Sequence, residues 1–326
     1  MFYPLKFEPI LKEKIWGGKK LKTVLNKAAA SDNTGESWEL SGLPNNVSVV
    51  SEGKLKGLAL NKLISEYKEL LLGNSIYNRF GQSFPLLIKF IDASDDLSVQ
   101  VHPDDETARK LYGQNGKNEL WYILESDKDA ELIIGLKKTI TLESFKEAIK
   151  NHTLTDKLNS EKVKRGDIFY IPSGRIHAIK KGVMLTEIQQ PSDITYRIYD
   201  WNRKGLDGNY RKLHTEAACK VADLKAKLSY KSEYKHVKNE FATCETNQNF
   251  TVNILHFNKE IRKNYSETDS FIVYICTKGA FRLLYPKKEI HMIFGETVLL
   301  PAVLKNIILI PETESELLEV YIEVKN

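Results

Sequence analysis

With 326 residues, 42% hydrophobic and 28% charged, the chain has the balance of a folded globular protein, which excludes disordered, fibrous and membrane-embedded classes. Its 48 basic and 43 acidic side chains give a net charge of +5 that is spread along the sequence and not gathered into a basic arm. Nucleic acid is therefore a poor partner and a small anion a better one. Cys219, Cys244 and Cys276 are odd in number and lack C-x-x-C spacing, which excludes a disulfide framework or thiolate metal site.

The N-terminal MFYPLKFEPILKEKIWGG has no basic segment followed by an apolar core, and no later run approaches the ~20 apolar residues of a membrane span. A cytoplasmic protein with no membrane partner is expected. Residues 1–80 mix short extended pieces with one helix predicted over Leu60–Leu72 (LNKLISEYKELLL), and Gly17-Gly18, Gly35 and Gly42 read as turns. This stretch is expected to cap the main site.

From Phe84 onward the texture is β: PLLIKFIDA, LSVQVH, ELWYILE, AELIIGL, DIFYIP, HAIKKG, VMLTEIQQ and TYRIYDW are short runs of branched and aromatic residues between turn signals. Helices are predicted after Pro103 (DDETARKLYG) and over 142–151. Residues 205–245 are Lys-rich and weakly periodic and read as a connector. A second β block follows, from FTVNILHFN to ELLEVYIEV.

The two blocks echo each other. Gly166-Asp167-Ile168-Phe169-Tyr170-Ile171-Pro172 matches Gly295-Glu296-Thr297-Val298-Leu299-Leu300-Pro301 in step, and the same register sets His177 opposite Asn306. The expected fold is mainly β: two similar barrels, with residues 1–230 a catalytic domain including the cap and 231–326 a degenerate β domain without metal.

Strict alternation in Leu97-Ser98-Val99-Gln100-Val101-His102 puts Gln100 and His102 on one strand face, either a solvated face or a shared ion site. Glu119 opens the apolar ELWYILE, where a carboxylate needs a cationic partner unless it ends a turn in solvent. A Pro-Ser-Gly turn delivers His177 to the start of a strand. Together Gln100, His102, Glu119 and His177 make a mixed nitrogen and oxygen set suited to Zn²⁺ or another divalent ion. Lys89, inside the apolar LLIKFI, and Lys117 are candidate phosphate or hydroxyl contacts, with ordinary snorkelling as the alternative. Trp16 and Tyr122 are candidates for an apolar wall, with core packing as the alternative.

LSVQVHPDD, GKNELWYIL, GDIFYIPSGRIHAI and TEIQQPSDITYRIYDW resemble the motifs of type I mannose-6-phosphate isomerases of the cupin superfamily, in their short bacterial form. The likeness begins at IWGGKKL and GESWEL and weakens after about residue 215. It implies jelly-roll barrels with short helical insertions and one zinc ion on Gln100, His102, Glu119 and His177. The implied activity interconverts mannose 6-phosphate and fructose 6-phosphate through an enediol. Longer members carry His-Lys-Pro-Glu where this chain has Gly116-Lys117-Asn118-Glu119, so Lys117 and Glu119 transfer but the flanking turn does not.

The resemblance also implies Arg197 as the residue that stabilises enediolate charge, with a rim salt bridge to Asp193 or Asp200 as its alternative. Glu187 is the candidate base, the alternative being a structural pair with Arg197, and Lys117 belongs to the catalytic and substrate-contacting groups. A metal-dependent cupin oxygenase is a rival that the neutral ligand Gln100 argues against. A non-catalytic sugar-phosphate-binding regulator is another, opposed by Glu187 and Arg197. The partner is a small sugar phosphate, and the expected assembly is a monomer or homodimer.

Overall fold

The structure, a computed structural model, describes residues 2–28, 31–286 and 288–323. Its residues cluster into two compact units, each drawn from separated stretches: residues 11–38 with 87–232, and residues 1–10 with 39–86 and 233–326. Residues 39–86, expected as part of a cap on the first barrel, group with the C-terminal stretch instead. The helix Leu60–Leu72 buries Leu60, Leu63, Ile64, Leu71 and Leu72, and backbone bonds tie its end to Phe271 and Ala302. That apolar stripe gives the helix its place.

In the unit of residues 11–38 and 87–232, one sheet runs in the order Ile168–Ile171, Glu119–Ser126, Val183–Gln189, Leu87–Ala93, followed by residues 11–18 and 34–38. A second sheet has the order Tyr196–Tyr199, Val99–Val101, His177–Ile179, Glu131–Leu136, Leu158–Lys162. Trp121, Phe169, Val183 and Leu185 of the first share one buried cluster with Leu132, Ile134 and Ile179 of the second, so the sheets face each other. Behind the second sheet, Val99, Val101, Ala178 and Ile198 bury against Phe145, Ala148 and Ala218. Those residues belong to the helices Leu142–Lys150 and Thr215–Val221. The Thr141 hydroxyl caps the first helix by accepting from Ser144 N–H at 3.2 Å. Burying Phe145 alone contributes about 2–3 kcal/mol.

Residues 233–326 repeat this plan. One sheet runs Phe241–Thr246, Thr251–Phe257, Ser315–Tyr321, Ile272–Lys278, Thr297–Leu300, and the other Ile261–Asn264, Asn306–Pro311, Ala280–Tyr285, Lys288–Ile293. Leu255, Tyr274 and Val298 share a core with Phe281, Leu283, Ile307 and Leu309. The mainly β expectation holds. Each expected jelly-roll barrel takes the form of two facing sheets, and among the described residues no sheet closes on itself.

Three local expectations change. Gly17 lies inside the strand Ile10–Gly18, where a Cβ would sit 2.1 Å from the Asn33 carbonyl oxygen; the glycine serves a close backbone approach and not a turn. The connector at 205–245 holds the helix Thr215–Val221 and the strands Lys231–Ser232 and Phe241–Thr246, too short to leave a periodic signal. Asn306 is exposed, whereas Ile307 is buried, so the inward position in the second unit lies one residue beyond the echo's register. No helix among the described residues is long and apolar enough to cross a membrane.

Candidate metal centre and adjoining pocket

Register assembles the site. Val99–Val101 pairs with His177–Ile179 on one side and Tyr196–Tyr199 on the other, so Gln100 lies across from both His177 and Arg197. On the facing sheet Glu187 lies across from Lys89 and from Trp121. Directly opposed residues share a face with Cβ atoms about 5 Å apart, so each trio is presented as a group. Glu119 starts its strand opposite Gln189 and Ile171. His102 follows Val101 directly and stands before Pro103.

His102, Glu119 and His177 are fully buried, and one ligand atom from each lies within 4.8 Å of the others. His102 Nδ1 lies 2.9 Å from the Ile194 carbonyl and His177 Nδ1 2.8 Å from the Arg175 carbonyl. A carbonyl only accepts, so both Nδ1 atoms carry the proton and both Nε2 atoms offer lone pairs. Those lone pairs face the Glu119 carboxylate, at 3.6 Å for His102 and 3.4 Å for His177. His102 Nε2 and both Glu119 oxygens are buried without a hydrogen bond.

Burial pushes the Glu119 carboxyl up to about 7 against the pull of Lys117, whose ammonium lies 3.3 Å away. Burial likewise drives His177 down to about 4 and His102 well below the usual histidine range, keeping both rings neutral. Buried acceptors that lack donors, here His102 Nε2 and both Glu119 oxygens, are costly, and a divalent cation at their focus removes that cost. Imidazoles anchored through Nδ1 to carbonyls are the form in which histidine ligates metal. The donor set therefore fits a metal ion. The Gln100 amide adjoins it, 3.2 Å from His177 Nε2.

A cavity of about 240 Å³ opens beside this cluster, lined by Trp16, Lys89, Gln100, Lys117, Trp121, Glu187 and Arg197 together with Lys14, Glu36 and Trp38. Lys89 Nζ donates to Glu187 Oε1 and Gln189 Oε1, each at 2.8 Å, and Trp121 Nε1–H donates to Glu187 Oε2 at 3.1 Å. Burial raises the Glu187 pKa, but Lys89 and Lys117 outweigh it and hold the group at about 2. Burial also opposes the Lys89 charge, yet Glu187 and Glu36 keep its pKa above the usual lysine range. Arg197 donates from Nη1 to the Lys212 carbonyl at 2.9 Å, and its Nε is buried without a partner. Asp200 pairs with Arg203 and Arg211.

The structure thus gathers Gln100, His102, Glu119 and His177 at one focus, with Lys89, Lys117, Glu187, Arg197 and Trp16 around one cavity. Tyr122 is buried and absent from the cavity wall; strand alternation gives that place to Trp121, on the same face as Glu119. Sequence reasoning missed Trp121, Lys14, Glu36 and Trp38. Alternation from Glu119 and within GESWEL carried the signal for three of them. A larger cavity of about 370 Å³ shares Arg211 but is lined by Ile149, Ile198 and Tyr199, away from the metal-ligating cluster.

A family model for the type I phosphomannose isomerase catalytic domain matches residues 5–148. The mannose-6-phosphate isomerase of Streptococcus mutans is 43% identical over 221 residues, 68% of each chain. Mannose-6-phosphate isomerase ManA of Bacillus subtilis is 43% identical over 226 residues, again 68% of each chain. The crystal structure of the mannose 6-phosphate isomerase from Bacillus subtilis superposes with a TM-score of 0.89 at 31% identity, covering 98% of this chain and 100% of that one. Shared sequence over two thirds of the chain and shared fold across its length lead to one assignment: the chain belongs to the type I phosphomannose isomerase family.

Proposed function

We propose that the chain interconverts mannose 6-phosphate and fructose 6-phosphate, using one Zn²⁺ held by His102, Glu119, His177 and the amide oxygen of Gln100. The observation that carries the reading is the convergence of His102 Nε2, His177 Nε2 and the Glu119 carboxylate, fully buried, with His102 Nε2 and both Glu119 oxygens lacking a hydrogen bond, beside a cavity rich in cations. When bound, the ion supplies a Lewis acid that polarises a sugar oxygen. Half a turn of the Gln100 amide brings its oxygen to the ligand position.

The remaining chemistry belongs to the chain's own side chains. Moving a proton between C1 and C2 through an enediol needs a base and fixed positive charge near the developing oxyanion. Arg197, across from Gln100 and with a buried Nε lacking a partner, supplies that charge. Glu187 is the candidate base. At about 2 it is ionised but weak, and a substrate oxygen that draws Lys89 away raises it toward the working range. Lys89 and Lys117 bind sugar oxygens or phosphate, and Trp16 lines the sugar's apolar side.

The site lies wholly in the unit of residues 11–38 and 87–232, which supports a catalytic domain paired with a metal-free, degenerate jelly roll at the C-terminus. Cys244 and Cys276 are buried and form no disulfide with the other described residues, which suits a reducing cytoplasm. Purified protein is expected to carry one zinc per chain and to lose isomerase activity in a coupled mannose 6-phosphate assay on chelation. Activity that survives metal removal overturns the zinc reading, and absence of activity with zinc bound returns the choice to a binding protein or another cupin chemistry.

A further inference from the structure

The segments that carry the metal-ligating residues are joined from behind by side chains that face neither the cavity nor the cluster. Asn118, immediately before Glu119, donates from its backbone N–H (2.9 Å) and its side-chain Nδ2 (2.7 Å) to Gln190 Oε1. Its own Oδ1 accepts from Ser173 N–H at 2.9 Å, in the turn that delivers His177. Gln190 is buried; it returns a backbone N–H to the Asn118 carbonyl at 3.1 Å and donates from Nε2 to Asp105 Oδ1 at 3.0 Å. The same Asp105 oxygen accepts Gly116 N–H at 2.8 Å. Gly116 is what permits this approach, since a Cβ there would lie 2.5 Å from the Asp104 carbonyl carbon.

We infer that Asn118, Gln190 and Asp105 are positioning residues that lock the segments bearing His102, Glu119 and His177 into one metal-ready arrangement. The inference rests on the metal-centre reading above. Asp105 follows His102 by three residues, Asn118 precedes Glu119, Ser173 precedes His177 by four, and Gln190 follows Glu187 by three. Each amide works in both directions: Asn118 donates to Gln190 and accepts from Ser173, and Gln190 accepts from Asn118 and donates to Asp105. That directionality is what a test can reverse.

Gln190→Glu keeps the acceptor for Asn118 but replaces the donor to Asp105 with a second carboxylate. Adding Asp105→Asn removes the facing carboxylates and returns a donor toward position 190, at the cost of the Gly116 N–H bond that the same Asp105 oxygen accepts. Protein loaded with Zn²⁺ is mixed with an excess of a chelating indicator, and the release rate is read alongside the melting midpoint of the metal-free form. Gln190→Glu is expected to release zinc about tenfold faster or more, and the Gln190→Glu/Asp105→Asn pair to release it at least about threefold more slowly than the single variant, short of wild type by the lost Gly116 bond. A bracket that served stability alone would move the melting midpoint and leave the release rate of folded protein unchanged. A wild-type release rate in Gln190→Glu, or a double variant that stays as fast as the single, overturns the inference. Should Gln190→Glu fail to fold, Asn118→Ala reads the same rate at a half-buried position, and an unchanged rate there overturns it equally. Wild-type protein that binds no zinc sinks the metal-centre reading itself, an outcome distinct from either.

Discussion

Lys89, Glu187 and Trp121 stand across from one another on three adjacent strands, and Asn253, Glu319 and Tyr274 do the same in the second unit. On the opposing sheets Gln100 faces His177, and Lys263 faces Ile307. Two residues on, His102 has its counterpart in Tyr265, while Glu119, opposite Ile171, has its counterpart in Ile272, opposite Leu300. The ligand set of Gln, His, Glu and His therefore reads Lys, Tyr, Ile and Ile. Both units keep a buried carboxylate at the centre. Glu319 is satisfied from within: Asn253 Nδ2 donates at 2.7 Å, the Tyr265 hydroxyl donates to it, and Lys263 lies 3.4 Å away. In the first unit Lys89 and Trp121 satisfy Glu187, but both Glu119 oxygens and His102 Nε2 are left without a hydrogen bond. One plan fills its polar centre with the chain's own ammonium and phenols, and the other leaves room for an external cation and a substrate.

The largest expected effect sets Glu119, the carboxylate without a counterpart, against the central Glu319 of the second unit. Glu119→Gln is expected to lower kcat/KM by about a hundredfold or more and to empty the zinc site. Glu319→Gln should leave kcat/KM within about twofold while costing about 3 kcal/mol of stability, because Lys263 and the Asn253 amide lose their charged partner. A coupled assay, zinc analysis and urea unfolding read all three quantities. A fall in kcat for folded Glu319→Gln breaks the division of labour between the units.

The pH dependence is next in size and opposite in sign for two residues of the site. Glu187 is held at about 2, below the ordinary 4.5, so the unfolded chain binds its proton first. Its contribution is fully present above pH 4.5 and is lost as pH falls toward 2. Glu119 in metal-free protein is raised by burial to about 7, so there the folded state holds the extra proton. Metal-free protein should lose stability as pH rises from 4.5 to 7, and zinc, which requires the carboxylate ionised, should abolish that loss. Urea midpoints across this range with and without chelator decide it; matching profiles for the two forms count against Glu119 as a ligand.

Period-2 patterning made much of this legible. Alternation in LSVQVH gave the shared face of Gln100 and His102, because that strand buries Val99 and Val101 on its other side. The helix Leu60–Leu72 was readable for the same reason, an apolar stripe of the right period. What was not legible depends on contacts distant in sequence. The grouping of residues 39–86 with 233–326 rests on strands and loops some two hundred residues apart, such as Phe271 N–H bonding the Leu72 carbonyl. The roles of Asn118 and Gln190 are set by partners up to 85 residues away and leave no local pattern.

The smallest effect tests the register of the comparison itself. Counting from the matched prolines puts Asn306 opposite His177, yet Asn306 is exposed and beside Leu284 and Ile308, while Ile307 enters the core across from Lys263. The segment after Pro301 is thus one residue longer before its strand turns inward, and a one-residue slip sends every side chain to the other face. Asn306→His should therefore add an imidazole to a solvated surface. Stability should stay within about 0.5 kcal/mol and zinc content should not change. Ile307→His would bring the ring inward but into an apolar core with Ile272 where Glu119 stands in the first unit, so it should destabilise without binding zinc. A second equivalent of zinc in Asn306→His would mean that the echo's own register is the structural one and that loss of a single histidine separates the two units.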